Sequence, residues 1–205
     1  MANINILAFC GSPRKNGNTE LLLKEFLRGA QMEGATFECL HIADLSIVPC
    51  RECLACFKDG QCAIQDDMQS IYPRLFASDI IVFATPIFFY NVTGWSKAMI
   101  DRTQALWAKK HILRDPSLGK EGKKREGFFI SACGTKGQNM FEGAILTVKY
   151  FFDTINARYA GELLFPGVDA QGDILMHPSA LTDSLSAGKK IVSEFRRKGL
   201  QNGVD

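Results

Sequence analysis

The sequence lacks long apolar runs and lacks a strong excess of charge of either sign. No apolar stretch is long enough to span a bilayer, and the start, MANINILAFCG, shows neither the basic residues nor the cleavage site of a signal peptide. A net charge of +2 creates no strong field for nucleic acid or a membrane surface. We therefore expect a cytoplasmic protein that binds neither nucleic acid nor membranes.

Length and composition are those of an ordinary globular domain. Of the 205 residues, 46% are hydrophobic and 22% are charged, so the chain can bury a substantial core. We find no internal repeat and no linker, and we predict one domain over residues 1–205 with a cysteine-rich loop at 50–62. In a reducing compartment, seven cysteines argue against a disulfide framework and favour metal, cluster or redox chemistry. Cys10 and Cys39 lie in apolar patterns and are predicted to pack as small hydrophobic residues.

Short apolar runs alternate with longer amphipathic segments, which predicts an α/β fold built on a doubly wound parallel sheet. The strand candidates are Ile4 to Phe9, Phe37 to Ile42, Ile80 to Ala84, Gly127 to Ala132 and Gly161 to Leu164. The helix candidates are Thr19 to Met32, Met68 to Phe76, Gly94 to Ala108, Asn139 to Ala157 and Ser179 to Arg197. Ligands of such a sheet bind beyond the carboxyl ends of its strands, so the loops there form the candidate site. The basic segment 109–125 is predicted to be a solvated surface loop rather than a contact to nucleotide phosphate.

The loop after the first strand, GSPRKNGNTE over residues 11–20, has the composition of an anion site at a helix start. Its small residues let a phosphate approach the backbone, where free N–H groups and the helix dipole favour negative charge. Side-chain donors come from Ser12, Asn16, Asn18 and Thr19, and a cation from Arg14. The loop contains neither G-x-G-x-x-G nor G-x-x-x-x-G-K-[ST], which favours a single terminal phosphate over a pyrophosphate. The simpler alternative is a helix N-cap at Asn18 or Thr19.

Two further loops carry features of a flavin site. In TPIFFYNVTGW, residues 85–95, three successive aromatic residues can flank an isoalloxazine ring, with backbone N–H groups near its polar edge. Phe88, Phe89 and Tyr90 are equally compatible with a core or a subunit interface. In SACGTKGQN, residues 131–139, glycines permit close approach to a ligand beside Cys133, although the same residues suit a plain strand-to-helix turn.

Four cysteines lie within thirteen residues, in the pattern C-x2-C-x2-C-x5-C: Cys50, Cys53, Cys56 and Cys62. Thiolates spaced in this way can converge on neighbouring iron atoms of a compact cluster. Structural zinc sites usually divide four thiolates into two separated pairs, so zinc is a weaker alternative. The other alternative is that the thiols are free or form occasional disulfides. Because the motif follows the second strand, we expect it at the same carboxyl edge as the other loops.

Together these motifs resemble the NADPH-dependent FMN reductase superfamily, and specifically its iron-sulfur flavoprotein branch. The resemblance rests on GSPRKNGNT, TPIFFYNVTGWSKAMIDR and the four-cysteine motif followed by QDDM, and it covers residues 4–164. It implies a flavodoxin-like five-stranded parallel sheet with helices on both faces, FMN across the loops, and a homodimer or homotetramer. It assigns to FMN Ser12, Arg14, Asn16, Asn18, Thr19, Pro86, Ile87, Phe88, Phe89, Tyr90 and Asn91; Cys133 and Gly134 are added from the third loop. It assigns to a [4Fe-4S] cluster Cys50, Cys53, Cys56 and Cys62.

The expected function is that of an FMN-dependent oxidoreductase or electron-transfer flavoprotein. NADPH or NADH is the expected donor, and ferredoxin or a quinone is a possible redox partner. No protein acid or base is required, since the flavin carries the chemistry. The alternatives are an NAD(P)H-dependent FMN or quinone reductase without a cluster, a non-enzymatic flavodoxin-like carrier, and a thiol or metal sensor that has lost flavin. The segment after residue 164 carries no motif.

Overall fold

The structure is a computed structural model that describes residues 3–119 and 122–202, the last three by backbone alone. Five strands form one parallel sheet in the order β2-β1-β3-β4-β5. Their bounds are β1 Ile4–Cys10, β2 Ala35–His41, β3 Ile80–Ala84, β4 Arg125–Cys133 and β5 Ala157–Pro166. The order of the strands reverses between β1 and β3. This confirms the predicted flavodoxin-like, doubly wound sheet.

Seven α-helices occur among the described residues. They are α1 Asn18–Met32, α2 Cys56–Asp59, α3 Met68–Ala77, α4 Gly94–Arg102, α5 Gln104–His111, α6 Glu142–Thr154 and α7 Ala180–Asn202. Single 3-10 turns cover 42–44, 116–118 and 173–176. In the part of the chain that the structure describes, no helix has both the length and the apolar character needed to cross a bilayer.

The sheet separates two hydrophobic cores because side chains alternate along each strand. Ile6 and Ala8 face the core shared with α1 and α7, where Cys10 is fully buried and Cys39 is half-buried. Leu7 and Phe9 face the core shared with α3, α4, α5 and α6. The prediction that both cysteines pack as small hydrophobic residues is therefore confirmed.

Three helix and loop predictions need correction. The segment Gly94 to Ala108 forms two helices, because Thr103 closes α4 by donating from its hydroxyl and its N–H to the Ile100 carbonyl (2.6 and 2.9 Å). The segment Asn139 to Ala157 is helical only over α6, since Asn139 has a φ of 62° and Ala157 begins β5.

The basic segment 109–125 is not a continuous surface loop. It includes the end of α5 and a 3-10 turn, and Arg125 opens β4 with only 3% of its surface exposed. The Arg125 guanidinium donates to the carbonyls of Leu75, Phe76 and Ile155 at 2.8 to 3.0 Å. Lys120 and Glu121, within the same segment, lie outside the described residues.

Candidate functional site

The loops after β1, β3, β4 and β5 meet around a cavity at the carboxyl edge of the sheet, which we call the edge cavity. Nine predicted site residues line it: Ser12, Arg14, Asn18, Thr19, Pro86, Ile87, Phe88, Cys133 and Gly134. The first and second loops are held together by Thr93, whose hydroxyl donates to the Gly11 carbonyl at 2.8 Å. Gly11 is required at this crossing, since a Cβ there would lie 2.1 Å from the Ser96 hydroxyl oxygen.

The first turn of α1 has N–H groups that can bind an anion. The helix begins at Asn18 after the N-cap residue Gly17, which has no side chain to cap it. The first helical N–H that has a backbone partner is that of Leu21, which donates to the Gly17 carbonyl at 3.0 Å. Among the described residues, no hydrogen-bond partner is found for the N–H groups of Asn18, Thr19 and Glu20. The alternative of a side-chain N-cap at Asn18 or Thr19 is therefore wrong, and the helix start fits a phosphate.

The segment after β5 completes the edge cavity, which the sequence did not predict. Arg14 Nη1 donates to the Asp169 carbonyl at 3.0 Å, and Asn18 Nδ2 donates to the Ala170 carbonyl at 2.8 Å. Asn18 Oδ1 accepts in turn from the Gly172 N–H at 2.9 Å. The run PGVDAQGD, residues 166–173, carries turn residues directly after a strand end, which is the one local signal that it reaches this edge.

Four of the residues predicted to bind FMN do not line the edge cavity: Asn16, Phe89, Tyr90 and Asn91. The Asn16 side chain accepts from Lys24 Nζ at 2.8 Å, and the Asn91 Oδ1 accepts from the Thr147 hydroxyl at 3.1 Å. Phe89 and Tyr90 form a two-residue turn between the paired Phe88 and Asn91. Their φ values are 48° and 63°, a left-handed conformation that is strained for side chains of this size, and Phe89 is fully exposed.

The backbone of the aromatic loop offers few free donors to a ring. The N–H of Ile87 donates to the Ala132 carbonyl, and those of Phe88 and Asn91 bond each other's carbonyls. Phe89 and Tyr90, at the tip of the turn, keep N–H groups for which the described residues show no partner. Pro86, Ile87 and Phe88 therefore contribute apolar surface to the cavity rather than hydrogen bonds.

Cys133 is a buried thiol at the end of β4. Burial raises its pKa, and its Sγ donates to the Thr135 carbonyl at 3.1 Å. The neighbouring Gly134 packs against the Asp169 side chain, which a Cβ would approach to 2.9 Å. The third loop thus brings its backbone close to the cavity, while burial keeps the pKa of the Cys133 thiol above its ordinary value.

The four clustered cysteines line a second cavity, which we call the cysteine cavity. Its volume is about 580 Å³, and α4, α5 and α6 form its other walls. Glu52 and Leu54, on either side of Cys53, have φ values of 52° and 58°, so the backbone reverses direction at successive steps of the motif. Burial raises the pKa of the Cys56 thiol, and the nearby thiols of Cys62, Cys50 and Cys53 raise it further.

A buried ion pair fixes the end of the cysteine loop. The Arg102 guanidinium donates to both carboxylate oxygens of Asp66 at 2.5 and 3.1 Å, and also to the carbonyls of Val48 and Ile64. The side chains are 0% and 6% exposed. Burial works to raise the pKa of Asp66, but its bonds to Arg102 and to the Val48 and Met68 N–H groups outweigh burial and hold the pKa below its ordinary value.

Arg102 also lies against Cys62. Burial lowers the pKa of Arg102, while Asp66 and the Cys62 sulfur raise it to a net value above the ordinary one. Its Nε is buried, and within the described residues it has no hydrogen-bond partner. A positive group with an unused donor beside a thiol suits a negatively charged thiolate or sulfide there.

The spacing of the thiols is wider than a zinc site requires. No three of the four sulfurs lie within 4.8 Å of one another in the described structure. Tetrahedral zinc with Zn–S bonds of about 2.3 Å holds its sulfurs roughly 3.8 Å apart. The cavity and its sulfurs therefore fit a larger centre better than a single ion.

Comparison with known proteins places this architecture in a family. Residues 4–139 match the NADPH-dependent FMN reductase family. The chain belongs to this family. An iron-sulfur flavoprotein of Methanocaldococcus jannaschii is 34% identical over 50% of this chain and 53% of its own length. A Bacillus subtilis protein named as an NAD(P)H-dependent FMN-containing oxidoreductase is 26% identical over 87% of this chain and 93% of its own length.

Solved structures of this family's fold superpose over nearly the whole chain. A flavone reductase gives a TM-score of 0.72 at 22% identity, covering 94% of this chain and 63% of that one. An NAD(P)H:quinone oxidoreductase from Methanothermobacter marburgensis gives 0.64 at 14% identity, covering 92% and 95%. These likenesses show the fold alone. The chain spans only 53% and 59% of the first two iron-sulfur flavoproteins it matches. The predicted family and its flavodoxin-like fold are thus confirmed.

Proposed function

We propose that this member of the FMN reductase family is an FMN-dependent NAD(P)H oxidoreductase in which a [4Fe-4S] cluster, held by Cys50, Cys53, Cys56 and Cys62, passes electrons to or from the flavin. The observation that carries the proposal is the arrangement of the four thiols around one cavity of about 580 Å³, whose lining residue Thr147 is hydrogen-bonded to Asn91 of the aromatic turn. The buried, unpaired Nε of Arg102 beside Cys62 supports an anionic occupant.

In this proposal the first loop holds the FMN phosphate. The unpaired N–H groups of Asn18 and Thr19 and the dipole of α1 bind the negative charge, and Arg14 balances it. Ser12 lines the same pocket with its hydroxyl. The loop lacks the pyrophosphate fingerprint G-x-G-x-x-G, which favours one phosphate over two.

The remaining residues orient the ring and keep the site apolar. Pro86, Ile87 and Phe88 offer apolar surface to one face of an isoalloxazine. We propose that Phe89, Tyr90 and Asn91, which lie outside the cavity, frame its outer edge. A bound FMN supplies hydride and single-electron chemistry, and a bound cluster supplies one-electron transfer. We propose that the Cys133 thiol, which donates to the Thr135 carbonyl, lines the cavity as a packing group.

The aromatic turn connects the two cavities. Phe88 lines the edge cavity, and Asn91, at the other end of the same turn, bonds to Thr147, which lines the cysteine cavity. This short connection supports electron transfer between the two centres.

Redox partners and assembly belong to the same proposal. We propose NADPH or NADH as donor, a quinone or ferredoxin as partner, and a cytoplasmic homodimer or homotetramer. The assembly is supported by large exposed apolar side chains on and near α4 and α6: Phe89, Trp95, Leu146 and Tyr150.

A cluster-free FMN or quinone reductase is the second candidate. The relative from Bacillus subtilis, which matches nearly the whole chain and is named without a cluster, favours it. A non-enzymatic electron carrier is the third, since a similar sheet serves either role.

FMN titration and steady-state turnover of NADPH and NADH test the proposal. We expect one FMN per chain and turnover with a quinone or dye acceptor. Cys53→Ser should still allow flavin reduction but should lose single-electron transfer to an external acceptor. Absence of FMN binding contradicts the flavin site, absence of turnover supports the carrier, and unchanged one-electron transfer in Cys53→Ser supports the cluster-free reductase.

A further inference from the structure

A second group of metal-ligating side chains lies beneath the first loop, away from the four clustered cysteines. It consists of Cys10, the last residue of β1, Glu20, in the first turn of α1, and His41, the last residue of β2. One ligand atom from each lies within 4.8 Å of the other two. These three residues play no part in the proposed FMN or cluster chemistry.

The sheet register explains why they meet. Cys10 and His41 are direct partners in the parallel pairing of β1 with β2. Partners in a parallel ladder project to the same face, so both side chains point toward α1. Glu20 lies on the buried side of α1, directly above this pair. Each ligand is therefore supplied by a regular element rather than by a flexible loop.

The group is nearly closed to solvent but has one open side. Cys10 is 0% exposed and Glu20 is 5% exposed, whereas His41 is half-buried. Glu20 already binds Lys24 at 2.7 Å through Oε1 and the Asn16 N–H at 2.6 Å through Oε2. A carboxylate has roughly four lone-pair positions, so these bonds leave room for one more partner.

We propose that Cys10, Glu20 and His41 form a binding site for a divalent metal ion of the zinc type. Thiolate, imidazole and carboxylate together are the donor set that zinc and cobalt prefer, and three protein ligands leave a fourth position for water. Tetrahedral ligation needs donor atoms about 3 to 4 Å apart, so the side chains must close by on the order of 1 Å. The bond to sulfur forms as the Cys10 S–H proton leaves to solvent, and no redox step is involved.

Burial raises the pKa of Cys10 to about 12, which makes the proton release an observable part of binding. Metal binding at this site should strengthen as pH rises, because the metal competes with the Cys10 proton. Lys24 is the one cation bound to the Glu20 carboxylate among the described residues, and its positive charge weakens metal binding there.

Cobalt titration of the 205-residue chain tests the site. The parent protein should carry Ser at the four loop cysteines, so that the cysteine cavity binds no cobalt, and should be kept reduced and anaerobic. We expect about one Co²⁺ per chain by dialysis, with a sulfur-to-cobalt charge-transfer band. Cys10→Ala should abolish the band, and His41→Ala or Glu20→Gln should weaken binding at least tenfold.

Two control variants separate ligation from general damage. Cys39→Ser alters a thiol on the same face of β2, two residues before His41 but outside the group, and should bind cobalt as the parent does. Lys24→Met removes the opposing cation and should tighten binding. Thermal unfolding checks that each variant is folded. If Cys10→Ala does not fold, His41→Ala, at a half-buried position, still tests metal binding. The proposal is wrong if the parent binds no cobalt, if folded His41→Ala binds as tightly as the parent, or if Cys39→Ser loses the band.

Discussion

The edge cavity and the cysteine cavity differ in how the protein maintains their shape. In the edge cavity, Arg14 and Asn18 donate hydrogen bonds to the segment after β5 and so join the first loop to it. In the cysteine cavity, Cys50 and Cys53 are exposed, and no hydrogen bond of the described residues involves their sulfurs. Hydrogen bonds between loops therefore support the first cavity, whereas the Arg102–Asp66 pair at its base supports the second.

The largest expected effect comes from removing a thiol of the cysteine cavity. Cys53→Ser should abolish bound iron and acid-labile sulfide, because three thiolates do not replace four around a cluster. FMN affinity should change little, since hydrogen bonds between its own loops support the edge cavity. Iron and sulfide assays on anaerobically prepared protein, together with FMN titration, check both expectations.

Cys133→Ser is the matched control, since it replaces a thiol in the other cavity. Iron content should remain at the wild-type level. If Cys53→Ser and Cys133→Ser lower iron equally, the assignment of the cluster to the four-cysteine motif is wrong.

The next largest effect is expected at the base of the cysteine loop. Arg102→Met leaves Asp66 buried without its cation, and loss of one partner of a buried pair costs about 3 to 5 kcal/mol in the free energy of unfolding. Urea unfolding of the protein measures it. Lys97→Met, on the same helix, breaks an exposed pair with Asp101 and should cost less than about 1 kcal/mol. Equal losses in the two variants would show that the buried pair does not anchor the loop.

A smaller effect is expected in the edge cavity. Arg14→Ala should weaken FMN binding by about 1.5 to 3 kcal/mol, the contribution of a charged hydrogen bond to a phosphate. The fold should stay intact, because Arg14 lies in a solvent-facing loop. Lys15→Ala is the control: its ammonium pairs with Asp44 at 3.5 Å and it does not line the cavity. If FMN titration gives the same affinity for the two variants, Arg14 does not bind the phosphate.

The smallest effect concerns the strained aromatic turn. Phe89→Asn places a residue that tolerates positive φ at a position whose side chain is fully exposed. We expect a gain of about 0.5 to 1 kcal/mol in the free energy of unfolding, measured without FMN. A loss of FMN affinity in the same variant would show that the strain serves ring binding. A loss of stability would show that the turn is not strained.

The sequence predicted the sheet because buried parallel strands appear as short apolar runs, such as the five residues of β3. It could not predict contacts that depend on strand order. Arg14 and Asp169 are 155 positions apart, and they meet only because β1 and β5 end at the same edge. Burial of Arg102 and Arg125 was equally hidden, since charged residues are ordinarily exposed and their partners lie far away in the chain.

Within the site, the residue types of the first loop predicted a helix start with free N–H groups, and the structure describes no partner for those of Asn18, Thr19 and Glu20. The phosphate site itself stays a prediction. The aromatic run at Phe88, Phe89 and Tyr90 did not reveal that two of its members occupy left-handed positions. A turn of this kind usually contains Asn or Gly, so no local signal identified it. The assignment of FMN and cluster ligands stays a prediction.

The most direct test is the cofactor content of protein purified without oxygen. Iron, acid-labile sulfide, zinc and flavin are measured per chain, together with the absorption spectrum. We expect one FMN with about four iron and four sulfide per chain, and no stoichiometric zinc. Protein that binds FMN but contains no iron, or that holds zinc at the four cysteines, would contradict this expectation and leave a cluster-free flavin reductase.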